Sequence, residues 1–302
     1  MSMIVEITLI AVIVAIACAL PGVFLVLRGT TLVSDAITHT VLLGIVLAFF
    51  ITQDLNSPLL MIGATLVGLA TVWAIEALQN TRLVSNDAAI GIIFPLFFSI
   101  AIVLITRYAG DIHLDADAVI MGELAFAPFR RLVLFGIDVG PRALWTMSVI
   151  LLGNGLFIYL FFKELKVTTF DAAFAASIGI SPVIVHYALM TSVSLTAVGA
   201  YDSVGSILVV GFMVGPALAA YLLTHSLKKM IGLTVIFAMV NSIAGVILAF
   251  SFDTTIAGMI AVVTGLTTLV VFVFSPRKGL VKASVVRRRE QKRVNQKLGL
   301  EK

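Results

Sequence analysis

The stretch SDAITHTVLLG, residues 34–44, places an aspartate and a histidine inside an otherwise apolar run. Asp35 and His39 are four residues apart, so on a helix their side chains lie on the same face. A carboxylate oxygen and a neutral imidazole nitrogen form a donor set that suits divalent cations such as Zn²⁺ and Mn²⁺. If the run crosses a membrane, ionisable groups within it are costly and usually mark a pathway. The spacing therefore indicates a pair of metal ligands.

A plainer interpretation of the same pair stays open on the residues alone. Asp35 is close to the start of its apolar run, where a carboxylate is stabilised by the positive end of the helix dipole. His39 is one turn further on and could form a hydrogen bond with a neighbouring helix.

The composition indicates a polytopic membrane protein. Of the 302 residues 60% are hydrophobic and only 12% are charged, whereas a soluble domain has about 25% charged residues. The apolar residues form runs of about 20, the length that crosses a hydrocarbon core roughly 30 Å thick. We predict an all-α fold with eight to nine transmembrane helices, over about 5–27, 33–51, 58–78, 88–106, 142–162, 183–200, 204–223, 230–250 and 255–274. The connections AYDSVGS and SFDTT are short enough that the flanking spans could be bent helices.

The distribution of basic residues predicts the orientation. The segment after the last span, residues 276–302, is rich in Lys and Arg, which is typical of a cytoplasmic flank that contacts anionic lipid. This explanation accounts for the net charge of +4 without a nucleic-acid partner. Nine spans then place the N-terminus outside. The long outer connection 107–141 carries arginines against this rule, and we interpret its FRRLVLFGIDVGPR as an interfacial helix.

One inner connection predicts a short cytoplasmic helix. In TFDAAFAASIGIS, Thr169 and Asp171 are candidate N-caps and Gly179 is a candidate C-terminal stop. The helix is too short to span a membrane. The sequence contains no GxxxxGK[ST] loop, so the chain is not expected to hydrolyse nucleotide, and an energy source would have to be a partner.

Other ionisable residues are weaker candidates. An acidic patch on the outer side could attract cations, although a solvated loop is the favoured explanation; its residues are His113, Asp115, Asp117 and Glu123. Asp202, between two spans, could line a cavity. His186 and His225 are interpreted as structural. A nucleophile set of the Ser/His/Asp or Cys/His kind is not found, so an enzyme is not expected.

Three motifs, in order, resemble the permease subunits of the ATP-binding-cassette importers for manganese, zinc and iron. They are LRGTTLVSDAITHTVLLGIVLAF, TTFDAAFAASIGISP and SVGSILVVGFMVGPALAAYLLT, and the resemblance covers roughly residues 8–275. The stretches HLDADAVIMGELAFAPF and LFGIDVGPRALW further resemble the manganese and iron branch. The family commonly has Gly before the Asp, Ser before the His and Pro shortly after it, where this chain has Ser34, Thr38 and Leu43.

The resemblance implies a type II importer permease, residues 1–275, in a bacterial cytoplasmic membrane. It implies that Asp35 and His39 contact Mn²⁺, Zn²⁺ or Fe²⁺ in transit, with no permanently bound cofactor. It implies three partners: an ATPase dimer that supplies ATP hydrolysis, an extracytoplasmic metal-binding protein, and a second permease. The segment 169–181, which we call the coupling segment, would contact the ATPase through Thr169, Phe170, Asp171, Phe174, Ile178 and Gly179. A metal chelate as substrate, an intramembrane enzyme and a structural scaffold remain alternatives.

Overall fold

The structure is a computed structural model that describes residues 3–54, 57–108, 124–134 and 137–275. The basic segment 276–302 and the predicted outer residues His113, Asp115, Asp117 and Glu123 lie outside the described residues.

The described residues are largely helical, as the apolar runs predict. The long helices are α1 Met3–Arg28, α2 Thr31–Thr52, α3 Pro58–Asn80, α4 Asn86–Tyr108, α5 Arg142–Leu160, α8 Pro182–Leu223, α9 Leu227–Phe252 and α10 Ile256–Phe274. Two short helices, α6 Phe162–Phe170 and α7 Ala172–Ser177, connect α5 to α8. Nine segments of the described chain are long and apolar enough to cross a membrane, because α8 contains two of them. This confirms the predicted all-α polytopic fold.

The two short connections between spans differ in the structure. SFDTT separates α9 from α10, with Asp253 in the left-handed conformation at the end of α9. AYDSVGS instead lies inside α8, where Gly205 has φ 74° and ψ 166°, a conformation that glycine adopts without steric cost. Leu189 and Ala217 share one apolar cluster, yet a straight helix would hold them about 42 Å apart. The two halves of α8 therefore fold back on each other at Gly205.

The first helix forms the centre of the bundle. Most of α1 from Ile7 to Leu25 is buried, and it packs against α5, α8 and α9. The second helix packs beside it against α3, α4 and α8. Consequently α2 is held by neighbours on several sides, and the part of its surface that they leave open is where a functional side chain is accessible.

The predicted interfacial helix over FRRLVLFGIDVGPR is wrong. The segment contains a 3₁₀ turn, Ala127–Phe129, followed by two antiparallel strands, β1 Arg131–Leu134 and β2 Ile137–Pro141. Alternating apolar residues between a Gly and a Pro favour strands over a helix. Arg131 joins the hairpin to the bundle, with Nη1 3.1 Å from Asp138 Oδ2 and Nη2 3.5 Å from Glu6 Oε2.

Candidate metal-binding site

Asp35 and His39 meet on one face of α2. Helix α2 begins at Thr31, so Asp35 is in its second turn and the first turn contains no acidic residue. His39 Nε2 lies 3.5 Å from Asp35 Oδ1. Because Asp35 is beyond the N-terminal backbone N–H groups, capping of the helix end is not a sufficient explanation for it.

The pair is accessible although it is part of an apolar helix. The side chain of Asp35 is 46% exposed and that of His39 is 25% exposed in the single chain. The neighbouring Ala36, Ile37 and Thr40 are buried, because they face the helices that pack against α2. The pair therefore occupies the part of α2 that its own chain leaves uncovered.

Two aromatic rings of α4 orient the histidine. The His39 ring centroid lies 5.0 Å from that of Phe94 and 6.1 Å from that of Phe98, the latter edge to face. Contacts of this kind restrict the rotation of an imidazole ring. Within the described residues, its polar contact is with Asp35 alone. The expected alternative, a hydrogen bond from His39 to a neighbouring helix, is not observed in this part of the chain.

The hydroxyl groups around the pair are satisfied by their own helix. Ser34 Oγ donates to the Thr31 carbonyl at 2.6 Å, and Thr38 Oγ1 donates to the Asp35 carbonyl at 2.8 Å. Neither hydroxyl uses a carboxylate oxygen of Asp35 as its acceptor in these bonds. The carboxylate oxygens and the imidazole therefore retain lone pairs that a cation can use.

The described residues supply only part of a metal coordination shell. Among the described residues no group of three or more His, Cys, Asp or Glu side chains is close enough to hold one ion. Structural zinc sites have four ligands, and manganese favours six. Asp35 and His39 can therefore provide one oxygen and one nitrogen, and the described residues offer no third His, Cys, Asp or Glu ligand beside them.

Another predicted site residue, Asp202, is on a different helix from this pair. Asp202 lies within α8, three residues before the break at Gly205, and its side chain is not among those described.

The predicted cytoplasmic helix is shorter than expected. Helix α7 covers six residues, and Asp171 caps it by accepting a 2.8 Å hydrogen bond from the Phe174 amide. Thr169 does not act as a cap, since it belongs to the last turn of α6 together with Phe170. The segment then turns at Ile178 and Gly179, whose φ is 85°. Three apolar side chains of this segment are exposed: Phe170, Phe174 and Ile178.

Sequence reasoning missed a second polar group, at the end of the bundle that carries the coupling segment. His186 Nε2 lies 2.6 Å from Glu76 Oε1, and Tyr187 donates a 2.7 Å hydrogen bond to Glu76 Oε2. The Arg28 guanidinium lies on the other side of the His186 ring. Glu76 lies inside the predicted span 58–78, and a carboxylate within a span usually has a functional role. Its position could therefore have indicated this group from the sequence.

Comparisons with known proteins support the fold and identify the family. The sequence profile of the ABC 3 transport family matches residues 1–275. The chain is 46% identical to the "Zinc transport system membrane protein TroD" of Treponema pallidum over 94% of this chain and 77% of that protein. It is 39% identical to the "Manganese transport system membrane protein MntD" of Bacillus subtilis over 89% of this chain and 91% of that protein. The solved structure "PsaBC from Streptococcus pneumoniae in complex with Fab" superposes with a TM-score of 0.77 at 29% identity, covering 94% of this chain and 96% of that chain.

Proposed function

The chain belongs to the ABC 3 transport family, and we propose that it is the permease subunit of an importer for a divalent transition-metal ion. The observation that carries the proposal is the accessible Asp35–His39 pair on an otherwise packed helix of a multi-pass membrane protein. An uncovered carboxylate and imidazole in such a helix are retained for an ion that passes them.

A second permease would complete the site. The pair stays partly exposed beside α4, and two ligands are fewer than either zinc or manganese requires. A second copy of the chain, or a related permease, packed against this face would bring its own ligands and would cover the pair from lipid. Ions would then pass between two subunits.

The ion itself is Mn²⁺, Zn²⁺ or Fe²⁺, with Mn²⁺ favoured. One oxygen and one nitrogen ligand suit all three ions, and affinity order alone would favour zinc over manganese. The relatives named above are zinc and manganese systems. A test is the competition of each metal for uptake at equal free concentration; Mn²⁺ should be the strongest competitor.

The energy and the metal would come from two other proteins. The sequence has no phosphate loop, so a cytoplasmic ATPase dimer would hydrolyse ATP and bind the exposed apolar side chains of the coupling segment. An extracytoplasmic metal-binding protein would deliver the ion at the opposite end. The membrane would be the bacterial cytoplasmic membrane, with the 276–302 segment on the inside.

The proposed site is tested by uptake of radioactive Mn²⁺ in cells that express single variants at equal membrane levels. Asp35→Ala and His39→Ala should each abolish uptake above background. Asp253→Asn and His225→Ala are the controls, because both residues are exposed and flank α9, outside the helices described above as packing against α2; these should import normally. Normal uptake by both site variants would exclude the assignment.

A further inference from the structure

A second cluster of polar side chains joins four helices close to the coupling segment. We call it the Arg28 cluster, and its members are Arg28, Glu76, Thr168, Thr169, His186 and Tyr187. Arg28, the last residue of α1, donates from Nε to Thr169 Oγ1 and from Nη2 to Thr168 Oγ1, both at 3.1 Å. Its Nη1 lies 3.3 Å from His186 Nδ1. One guanidinium thus contacts both the end of α6 and the start of α8.

The donors and acceptors in the cluster can be assigned from chemistry. A guanidinium can only donate, so His186 Nδ1 must accept from Arg28 with its lone pair. The neutral ring then carries its proton on Nε2, which lies 2.6 Å from Glu76 Oε1 in a close contact that lacks hydrogen-bond geometry. A doubly protonated ring would direct an N–H group at the guanidinium. The cluster therefore contains one cation and one carboxylate with a neutral imidazole between them.

This assignment excludes the cluster as a second metal site. His186 Nδ1 contacts the Arg28 guanidinium, and His186 Nε2 lies 2.6 Å from the Glu76 carboxylate. Tyr187 donates to the second carboxylate oxygen of Glu76 at 2.7 Å. The fixed positive charge of Arg28 would also repel a divalent cation. Each group of the cluster contacts another group of the cluster, so the cluster serves to connect helices and not to bind a ligand.

The cluster begins where the coupling segment begins. Thr168 and Thr169 close α6 immediately before Asp171, which caps α7. Any displacement of α7 by a bound protein therefore moves the two hydroxyl groups that Arg28 holds. Arg28 donates hydrogen bonds to both hydroxyl groups, so the displacement would also move the end of α1. The contact of Arg28 with His186 would move the start of α8.

From Glu76 the contacts continue to the helix that carries the metal ligands. Thr71, on the same helix α3, donates a 2.8 Å hydrogen bond to Thr40 Oγ1 of α2, and both groups are buried. Thr40 directly follows His39 in the chain. A continuous set of hydrogen bonds and helix segments thus runs from the coupling segment to the Asp35–His39 pair.

We infer that Arg28 is the positioning residue through which the coupling segment moves α8 and α3, and through them the helix of the metal pair. The inference rests on the proposed function. Spatial continuity by itself does not demonstrate energetic coupling, and the experiment must therefore separate transmission from folding and from metal binding.

Arg28→Lys is the most informative variant. Lysine keeps the positive charge but is a point donor without the planar fork that reaches three acceptors. The charge balance with Glu76 is preserved, so the protein should fold. The matched control is Arg82→Lys, an exposed arginine between α3 and α4.

The measurement uses the permease with its ATPase and metal-binding protein in proteoliposomes. Arg28→Lys should bind Mn²⁺ within twofold of the original protein, yet the number of ions imported per ATP hydrolysed should fall at least tenfold. Arg82→Lys should leave this ratio unchanged. An unchanged ratio in Arg28→Lys overturns the inference, since a positive charge without the guanidinium contacts would then be sufficient for coupling. A parallel loss of Mn²⁺ binding overturns it as well, because the residue would then be supporting the site itself.

A second pair of variants keeps the test decisive if Arg28→Lys folds poorly. Thr169→Val removes one acceptor of Arg28 without changing a charge, and it should lower the ratio of ions to ATP two- to fivefold. Arg28→Gln with Glu76→Gln removes both charges; the double variant should recover the folded amount lost in the single variants but not the transport ratio. Recovery of the ratio, or an unchanged ratio in Thr169→Val, would overturn the inference. Failure of the proposed function looks different: the original protein itself would import no metal, and both proposals would fall.

Discussion

The Asp35–His39 pair and the Arg28 cluster both place ionisable groups in an apolar bundle. They differ in whether the lone pairs of these groups are free for a ligand or are used by other protein groups. The pair is open: Asp35 and His39 are 3.5 Å apart, and their side chains are 46% and 25% exposed. The cluster is closed by its contacts and not by burial: His186 and Glu76 lie 2.6 Å apart with side chains 21% and 31% exposed, and each has a further protein partner.

The difference separates a binding site from a structural one. A buried polar group that is fully bonded stabilises one arrangement of helices, and removing a partner is costly. A group with free lone pairs contributes little to that arrangement and is available for a ligand. We therefore expect variants of the pair to lose transport while keeping their stability. Variants of the cluster should lose stability where a charge is left unpartnered, and they should also lower the number of ions imported per ATP.

Asp35→Asn should have the largest effect on transport. An amide has no charge and is a poor metal ligand. Loss of a group that only orients a metal ligand already lowers metal affinity or activity about 10- to 100-fold. We therefore expect Mn²⁺ uptake to fall about 100-fold. The folded amount, measured by size-exclusion fluorescence, should not change. A loss of folded protein equal to the loss of uptake would remove the contrast between the two regions.

Glu76→Gln should have the largest effect on stability. It leaves the Arg28 charge without its carboxylate and should lower the free energy of unfolding by about 1–3 kcal/mol, measured by thermal unfolding in detergent. Asp253→Asn is the control, because Asp253 is exposed at the end of α9 in a left-handed conformation that Asn also tolerates. Equal melting temperatures for Glu76→Gln and the original protein would show that the cluster is not closed in solution.

Asn154→Ala sharpens the comparison with a closed group that carries no charge. Asn154 Nδ2 donates to the Ala17 carbonyl at 3.0 Å and to Thr196 Oγ1 at 2.7 Å, and its Oδ1 accepts from Ser192. Interhelical hydrogen bonds of this kind contribute about 1–2 kcal/mol at most, so the melting temperature should fall. Uptake per folded molecule should stay normal; a drop in it would place Asn154 in the transport path.

Thr71→Val should have the smallest effect. It removes the hydrogen bond to Thr40 while keeping the volume of the side chain, and such bonds between membrane helices contribute about 0.6 kcal/mol on average. Thr65→Val is a comparison on the same helix, since Thr65 Oγ1 donates only to its own helix at Met61 in the bonds described. If Thr71→Val destabilised the protein more than Glu76→Gln, the cluster would not be the main polar contact of α3.

The sequence was sufficient for the spans and for the pair. Runs of about 20 apolar residues correspond directly to the nine segments. Two residues four positions apart on a helix lie on the same face, which places Asp35 beside His39. The structure was needed wherever contacts between distant segments decide the outcome. Arg28 and Glu76 are joined through His186, and no local pattern predicts which helices meet. Likewise Thr169 had the chemistry of an N-cap, but α6 continues through it, and its hydroxyl accepts a hydrogen bond from Arg28 Nε.

The two paired strands Arg131–Leu134 and Ile137–Pro141 are a second feature that the sequence did not predict. Its length and apolar content fit a helix at the interface, whereas the pairing of two strands is a non-local feature that the sequence indicates only by alternation. The contact of Arg131 with both Glu6 and Asp138 then fixes the hairpin against α1.

The most direct test of the metal assignment is electron paramagnetic resonance of Mn²⁺ bound to the purified permease, read for coupling to a nitrogen nucleus. We predict a nitrogen coupling in the original protein and in His225→Ala, and its loss in His39→Ala. A coupling that persists in His39→Ala, or bound Mn²⁺ without any nitrogen coupling in the original protein, would contradict the proposal that the ion contacts the Asp35–His39 pair.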